Sequence, residues 1–332
     1  MTMRNMLRTI AFTDWLSIAI LLAFAIVPFL TGDFFTLSLT NQILIAVTAA
    51  LSVHIMLRMD LLSFAVPAFM AIGGYAAAMT AQAGATNLVV LLAVSFASAA
   101  IVALPLGALV LRLRGVYFVL VTFIFTEILQ LLIFETPGLT GGSNGIPRIP
   151  APTLGPLVLN TNHLIVLVSI CVAVIATVVT MGLTRRYGQE FASIEENETL
   201  AQSLGLVAWH YRTIGFVVAG GIAGMAGFAL VNLLLTAHPT SFTSMSSVFY
   251  IAYVLIGGRR TILGAVVGSC LLVWATKVFS SHGEYSAGFF GLLLIIVVTA
   301  APNGLVGLAQ HLLGRVKPRS ASPRPEVADA HV

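Results

Sequence analysis

The chain has 332 residues, of which 58% are hydrophobic and 8% are charged, and its mean hydropathy is +1.02. Water-soluble domains carry about 25% charged residues, so this composition excludes a soluble globule and indicates an integral membrane protein. The net charge of +4 does not predict nucleic-acid binding, because the basic residues are distributed along the chain as a membrane-topology signal. Apolar runs approaching 20 residues indicate a helical bundle rather than a β-barrel.

Ten apolar segments predict an all-α polytopic membrane protein with about ten transmembrane helices. If the N-terminus is cytoplasmic, fourteen of the sixteen basic residues fall inside, and only Arg148 and Lys277 fall outside. This bias predicts that both termini are cytoplasmic. Residues 1–314 then form the transmembrane domain and the polar residues 315–332 a disordered cytoplasmic tail. The ten predicted spans are 15–31, 38–57, 61–83, 88–111, 115–134, 162–184, 213–236, 246–258, 261–279 and 286–301.

Two segments of the third and eighth spans echo each other, FMAIGG at 69–74 and YVLIGG at 253–258. The two spans run in opposite directions in the ten-span arrangement, which is typical of the inverted repeats of transporters. Such repeats place glycine-interrupted helices near the middle of the membrane, beside the transported solute. The pattern therefore suggests pathway-lining roles for Gly73, Gly74, Gly257 and Gly258.

The fifth span contains a carboxylate, Glu127, well inside an apolar sequence that also includes Thr122. A charge at that depth costs on the order of 3 kcal/mol, so the residue needs a reason to be there. Three readings stay open: a proton-coupling carboxylate, a polar contact on a water-filled pathway, and a neutral or paired group that fixes helices together. Glu127 and Thr122 are the polar candidates for a translocation pathway.

The seventh span contains the sequence VVAGGIAGMAG, in which small residues recur at intervals of three and four. Small residues at that spacing let helix backbones approach closely in lipid. The pattern predicts helix packing, which is compatible with lining a pathway, for Gly220, Gly221, Gly224 and Gly227.

The outer connection, residues 135–161, contains the sequence TGGSNGIP. It lacks the Gly-Lys-Ser/Thr ending of a phosphate-binding loop, and we expect a tight, ordered loop that caps the bundle. The chain shows no zinc-ligand spacing, no nucleophile elbow and no paired catalytic carboxylates. The sequence therefore predicts neither a metal site nor an enzyme.

The inner connection, residues 185–212, is the longest polar stretch between apolar spans, and it predicts a short cytoplasmic helix. Ser193 is placed to cap that helix, acidic residues crowd its first turn, and Gly205 ends it. A rigid helix joined to two spans is suited to docking into a partner that moves them. A solvated loop helix without a role is the alternative. The candidate residues for this docking are Glu195, Glu196, Glu198, Ala201, Leu204 and Gly205.

Four segments together resemble a known family. They are LLSFAVPAFMAIGGYAAA; RGVYFVLVTFIFTEI followed by TGGSNGIP; EENETLAQSLG followed by GFVVAGGIAGMAG; and GLLLIIVVTAAPNGLVGL. In this order and spacing, across about residues 61–308, the chain resembles the inner-membrane permease subunits of bacterial branched-chain amino acid ABC importers, of the LivM type. Glu198, Ala201 and Gly205 stand where the family's EAA-and-glycine coupling element would place them.

The resemblance implies a multi-pass protein of the bacterial inner (plasma) membrane, surrounded by lipid. It also implies three kinds of partner: a second homologous permease, two cytoplasmic ATP-binding subunits and a periplasmic solute-binding protein. ATP would be bound by the partner subunits, so no cofactor is expected on this chain. The solute stays open between branched-chain amino acids, urea, short amides and other small acids, because selectivity in such systems lies mostly in the binding protein.

One turn departs from the family. Where its members usually have a small, flexible pair after the eighth span, this chain has Arg259 and Arg260. The sequence thus predicts a permease subunit that carries a small polar solute inward. An ion-coupled secondary transporter that uses Glu127 is the alternative, and a channel or purely structural subunit is a third class.

Overall fold

The computed structural model describes residues 15–23, 26, 32–280, 291 and 304–312. We label nine helices in these residues: α1 Phe34–Leu57, α2 Val66–Gln82, α3 Leu88–Val110, α4 Val116–Glu135, α5 Asn162–Ser203, α6 Ala208–Leu234, α7 Met245–Gly257, α8 Ile262–Ser280 and α9 Gly304–Leu312. The shorter elements are a helical turn, two 3-10 turns and a small hairpin, at Pro137–Thr140, Gly142–Asn144, Pro239–Phe242, β1 Thr153–Leu154 and β2 Leu157–Val158.

Six helices in the described part of the chain are long and apolar enough to cross a membrane. They are α1, α3, α4, α5, α6 and the segment Pro239–Gly257, which ends with α7. Helix α2 has 17 residues, and the apolar part of α8 is also short. The predicted all-α class is thus confirmed for these residues. The predicted tenth span and tail, and part of the first span, lie outside them, although residues 15–23 are helical.

Helix α6 lies at the centre of the bundle and packs against α1, α2, α3 and α5. Glycine makes this possible, because a methyl group at Gly224 would collide with the carbonyl of Ser95 on α3, and one at Gly227 with the carbonyl of Met70 on α2. Without side chains at these contacts, the helix backbones approach closely, as is typical of helix packing in lipid.

The chain enters α2 through a segment without regular secondary structure. Residues 61–65 are not helical, although the predicted third span begins at residue 61. The backbone N–H of Phe64 donates to Thr122 Oγ1 (3.1 Å), and its carbonyl accepts from Thr126 Oγ1 and Ser247 Oγ (both 2.9 Å). Thr126 lies ten residues into α4, about 15 Å from its start. Non-helical backbone at such depth needs internal partners, and α4 and α7 supply them.

Helix α5 is the longest, and it does not stop where the sixth span was predicted to end. It runs from Asn162 without interruption to Asn197, whose backbone is extended (φ −162°, ψ 101°). The side-chain oxygen of Asn197 accepts from the N–H of Leu200 at 3.0 Å and so caps the last helical turn and a half. The predicted cap, Ser193, is wrong: it lies inside α5, where its hydroxyl donates to the carbonyl of Gln189. Because Ser193 lies inside a continuous helix, the N–H groups that follow it already bond to carbonyls one turn earlier and need no cap.

The connections between helices lie at two ends of the bundle. We call the end with the 135–161 connection the loop end, and the opposite end, whose connections contain several arginines, the arginine end. At the loop end, the 135–161 connection is hydrogen-bonded across the bundle: Ile146 pairs with Ala237 through two backbone bonds, and Thr153 N–H donates to Thr86 O. These bonds fix the loop to residues of other connections at this end. The arginine end carries the connections α1–α2, α3–α4, α5–α6 and α7–α8, whose charged residues meet.

Candidate functional site

Glu195, in the last turn of α5 before the break, is held by two arginines at the arginine end. Arg259 Nη2, from the α7–α8 connection, lies 2.7 Å from Glu195 Oε1, and Arg58 Nη1, from the α1–α2 connection, lies 3.9 Å from Oε2. The Glu195 side chain is 10% exposed, so these pairs are partly shielded from water. Arg58 also donates to the carbonyl of Gly188, 3.4 Å away on α5.

Glu198, the first residue after the break, is held by a second pair of arginines. Arg212 Nη1, near the start of α6, lies 3.1 Å from Glu198 Oε2, and Arg114 Nη2, from the α3–α4 connection, lies 3.3 Å from Oε1. Gln202 also donates to Oε1 at 3.1 Å. Glu195 and Glu198 with their four arginines form a group that we call the ion-pair cluster. It ties the end of α5 to the other connections at this end.

Burial and neighbouring charges both act on the pKa of Arg58 in the ion-pair cluster. Burial lowers the pKa of the Arg58 guanidinium, and the Glu195 carboxylate acts in the opposite direction. Arg260 and Arg259 add to the lowering because they bring further positive charge close to Arg58. Removing Glu195 would therefore leave neighbouring arginines to repel one another.

Exposed apolar side chains occur from the short helix after Asn197 to the first turn of α6. Leu200, Leu204, Val207 and Trp209 are between 47% and 79% exposed, and we call them the apolar patch. Ala201, in the same stretch, is buried. At Gly205 (φ +90°) the helix ends as predicted: the N–H groups of Gly205 and Leu206 bond back to Gln202 and Ala201. Glu196 is exposed and takes part in none of the described ion pairs.

The glycines predicted to line a pathway lie in close helix contacts. A methyl group at Gly73 would collide with Gly224, and one at Gly74 would lie 3.0 Å from the carbonyl of Gly227. The second echo behaves alike, since a methyl group at Gly257 would collide with the carbonyl of Gly264. Gly258 borders the same contacts, beside Gly264 and Gly304. Gly220 and Gly221 face α3, opposite Ala103 and Phe96. A pathway role for the first four stays a prediction.

Helix α4 has two different faces. Thr122 and Thr126 are buried and bond to Phe64, as described above. Glu127 is exposed, among exposed apolar neighbours on the same helix: Leu120, Phe123, Ile124, Ile128 and Leu131. Little of α4 is covered by the described part of the bundle, since only 22% of its apolar window is buried. Relative to the described residues, Glu127 thus lies on an uncovered apolar face.

A cavity of about 300 Å³ lies toward the loop end, between α1, α6, α7 and α8. Lys277 stands out in the sequence only as an exception to the positive-inside pattern, and the other polar residues around this cavity were not predicted as site residues. Their signal was present, because Tyr250 and Tyr253 recur at helical spacing within an apolar span. The cavity is lined by Gln42, Ile45, Ala46, Leu230, Ser241, Tyr250, Tyr253, Val273, Thr276 and Lys277.

Comparison with known proteins found a matching family and several similar proteins. Residues 35–298 match the family described as branched-chain amino acid transport system / permease component. The chain is 28% identical over 266 residues to the high-affinity branched-chain amino acid transport system permease protein LivM of Escherichia coli (strain K12), covering 73% of this chain and 63% of that protein. It is 29% identical over 229 residues to LivM of Salmonella typhimurium, covering 62% of this chain and 54% of that protein.

A more distant similarity joins the chain to the probable branched-chain amino acid transport permease protein LivH of Methanocaldococcus jannaschii. The two are 25% identical over 140 residues, which cover 40% of this chain and 44% of that protein. In each of the three cases the match spans less than two thirds of the relative's own length. No solved structure matches the chain.

Proposed function

The chain belongs to the family of branched-chain amino acid transport permease components, and on this premise we propose that it is the membrane-spanning subunit of an ATP-binding cassette importer. It carries branched-chain amino acids or a related small polar solute inward across the bacterial inner membrane. In this proposal the chain has no catalytic site of its own, as its relatives are transport permeases, and separate partner subunits hydrolyse ATP. The ion-pair cluster, which links the end of α5 to three connections and to the start of α6, carries this proposal.

The proposed topology has about ten spans with both termini in the cytoplasm. Arg58, Arg114, Arg212 and Arg259 meet at one end of the bundle, which supports a cytoplasmic arginine end under the positive-inside rule. The loop end then faces the periplasm, where the ordered 135–161 connection offers a surface to a periplasmic solute-binding protein.

Two cytoplasmic ATP-binding subunits dock at the arginine end in this proposal. The apolar patch is the contact, since four exposed apolar side chains between the short helix and the first turn of α6 are typical of a protein interface. ATP-driven motion of the partner then displaces this helix. Glu195 and Glu198 pass the displacement to the α1–α2, α3–α4 and α7–α8 connections and to the start of α6.

The second homologous permease covers the exposed face of α4. An exposed Glu127 in lipid is costly, whereas at a boundary between two subunits it meets polar groups or water. This placement keeps Glu127 a candidate for the pathway, which can run between the two permeases. Gly73, Gly74, Gly257 and Gly258 support the pathway indirectly, through the helix packing around it.

The test of this function changes Glu198 and Gly205 and measures two quantities, association of the ATP-binding subunits and solute uptake. We expect Glu198→Ala and Gly205→Val each to reduce both. Glu196→Ala is the matched control, because this neighbouring carboxylate is exposed and has no described ion pair. Uptake that survives loss of the ATP-binding subunits would exclude an ATP-driven importer.

One observation favours a second candidate function. Glu127 is a carboxylate in the middle of an apolar helix, as expected of an ion-coupled secondary transporter. That function predicts uptake that continues without ATP and is abolished by Glu127→Gln. The importer predicts that ATP depletion stops uptake in both the wild-type protein and the Glu127→Gln variant.

A further inference from the structure

Phe64 lies in the non-helical segment that precedes α2, and its backbone is bonded to two other helices. Its carbonyl accepts from Ser247 Oγ on α7 and from Thr126 Oγ1 on α4 (both 2.9 Å), and its N–H donates to Thr122 Oγ1 (3.1 Å). We propose that the Phe64 side chain closes the translocation pathway at mid-depth and that Ser247 is the positioning residue that moves it with α7. This inference rests on the proposed function and deepens it, because it names the point of closure and the contact that controls it.

The two hydrogen-bonding helices place Phe64 near the middle of the membrane. Thr126 is ten residues, about 15 Å, from the start of α4 at the arginine end. Ser247 is also ten residues, about 15 Å, from Gly257, where α7 ends at the arginine end. Since the apolar core of a membrane is roughly 30 Å thick, both distances put the Phe64 carbonyl at about half its depth. Non-helical backbone at that depth is tolerated where it is buried in protein or lines a water-filled cavity.

The Phe64 side chain lies toward the face of α4 that the described residues leave uncovered. It is half-buried, and its ring meets the Phe123 ring edge to face, with the two centroids 6.1 Å apart. Phe123 is 39% exposed, and Glu127 follows it one helical turn later on the same side of α4. In the proposed function this face borders the pathway between the two permeases. Two aromatic rings there form a hydrophobic constriction, which stops a polar solute until the rings separate.

A continuous set of contacts joins Phe64 to the ion-pair cluster. Glu195, near the end of α5, meets Arg259 at 2.7 Å, and Arg259 is the second residue after the end of α7. Helix α7 runs from there back to Ser247 and packs mainly against α8 and α1. A displacement of α5 therefore acts on one end of α7, and the other end acts on the Phe64 carbonyl. Two hydroxyl groups of α4 hold the same residue, so motion of α7 relative to α4 repositions Phe64.

The bonds to Phe64 also have a purely structural explanation, because backbone groups inside a membrane need partners. The two explanations differ in their consequences. If the bonds only satisfy the backbone, Ser247 and Thr126 are equivalent, since both donate to the same carbonyl. If α7 moves Phe64, loss of the Ser247 hydroxyl uncouples transport from ATP hydrolysis, and loss of the Thr126 hydroxyl does not.

The first test measures closure of the pathway. The complete importer is reconstituted in liposomes loaded with L-leucine, and efflux is followed without ATP. We expect Phe64→Ala to raise efflux about tenfold or more, because the hydrophobic constriction is lost. Phe64→Leu, which keeps a large apolar side chain, should raise it less. Phe35→Ala is the control, since Phe35 is an exposed aromatic residue at the loop end of α1, and it should leave efflux unchanged.

Phe123→Ala removes the other ring of the contact and gives the same measurement if Phe64→Ala does not assemble. Efflux at the wild-type rate in both variants would overturn the proposal. So would equal efflux from Phe64→Ala and Phe35→Ala, because the increase would then reflect a general loss of packing.

The second test measures control by α7. Uptake of L-leucine and hydrolysis of ATP are recorded in the same liposomes, and their ratio gives the solute molecules carried per ATP. We expect Ser247→Ala to lower this ratio about fivefold while ATP hydrolysis continues, since one hydrogen bond between α7 and Phe64 is lost. Thr126→Val is the matched variant, because it removes a donor from the same carbonyl, and its ratio should stay close to wild type. Equal ratios in the two variants would exclude a positioning role for Ser247.

The same liposomes separate this inference from the proposed function. If wild-type uptake requires ATP but neither Phe64→Ala nor Phe123→Ala leaks L-leucine, the closure point is wrong and the importer stands. If these variants leak but wild-type uptake continues without ATP, the closure point stands and the importer is wrong.

Discussion

Arg259 and Glu195 meet at 2.7 Å, so the turn between α7 and α8 is tied directly to the end of α5. The sequence predicted a departure from the family at this turn, and in the structure its first arginine has a partner. Arg260 is exposed beside it. Arg259 thus joins an ion pair that links the α7–α8 connection to α5.

A double-mutant cycle on Glu195→Ala and Arg259→Ala should show a coupling of about 1 kcal/mol. The estimate is modest because Arg259 is 45% exposed and water screens its charge. The measurement is thermal unfolding of the purified complex in detergent. Arg260→Ala is the control and should be additive with Glu195→Ala to within about 0.5 kcal/mol. Equal coupling for the two arginines would contradict the specific pair.

Thr122→Val should destabilise the protein by about 1–3 kcal/mol, because it removes the acceptor for the backbone N–H of Phe64 inside the membrane. Thr126→Val should cost less, since the Phe64 carbonyl still accepts from Ser247. Unfolding of the purified protein measures both. Thr122→Ser, which keeps the hydroxyl, should stay close to wild type, and an equal loss in Thr122→Ser would mean that the methyl group matters instead.

Gly224→Ala should destabilise the bundle by about 1–3 kcal/mol, because the added methyl group collides with the backbone of α3 at Ser95. Gly182→Ala is a suitable control, since Gly182 is also helical but has open space around it. The control should be neutral or slightly stabilising, as alanine favours a helix. Thermal stability and the yield of intact complex measure the difference. A neutral Gly224→Ala would argue against the close contact.

Gly205→Val should weaken association with the ATP-binding subunits. A branched residue at φ +90° strains the end of the short helix after Asn197 by about 1–2 kcal/mol. Space is not the reason, as nothing lies near a Cβ at this position. Gly205→Asn is the matched variant, since asparagine adopts left-handed angles more easily. Co-purification of the partner subunits measures association. If Asn and Val reduce it equally, backbone angle is not the cause.

Local sequence patterns predicted most of the helices but not the late start of α2, which depends on residues that are distant in sequence. Residues 61–65 are apolar enough to continue a span, and only Thr122, Thr126 and Ser247, far away in sequence, provide partners for their backbone. Pro67, in the first turn of α2, was the available signal that the helix starts late.

In the candidate site, too, local sequence patterns were predictive, whereas contacts between distant residues were not. Glu195, Glu198 and Gly205 were found from the acidic cluster and the glycine, because these are local signals. Their arginine partners come from connections up to 137 residues away, since Glu195 pairs with both Arg58 and Arg259. Ser193 was chosen as the cap because its pattern fits, but the continuity of α5 depends on packing that no short pattern records.

The length of α5 has a mechanical consequence. Its unbroken part, from Asn162 to the extended Asn197, is about 50 Å long, so about 20 Å of it extends beyond a typical apolar core. A stiff rod of that length magnifies small rotations: a tilt of about 10° about its middle carries its tip by about 4 Å. Glu195 lies near that tip. A small tilt of the membrane-spanning helices therefore produces a displacement at the tip that is large enough to be transmitted to or from another protein.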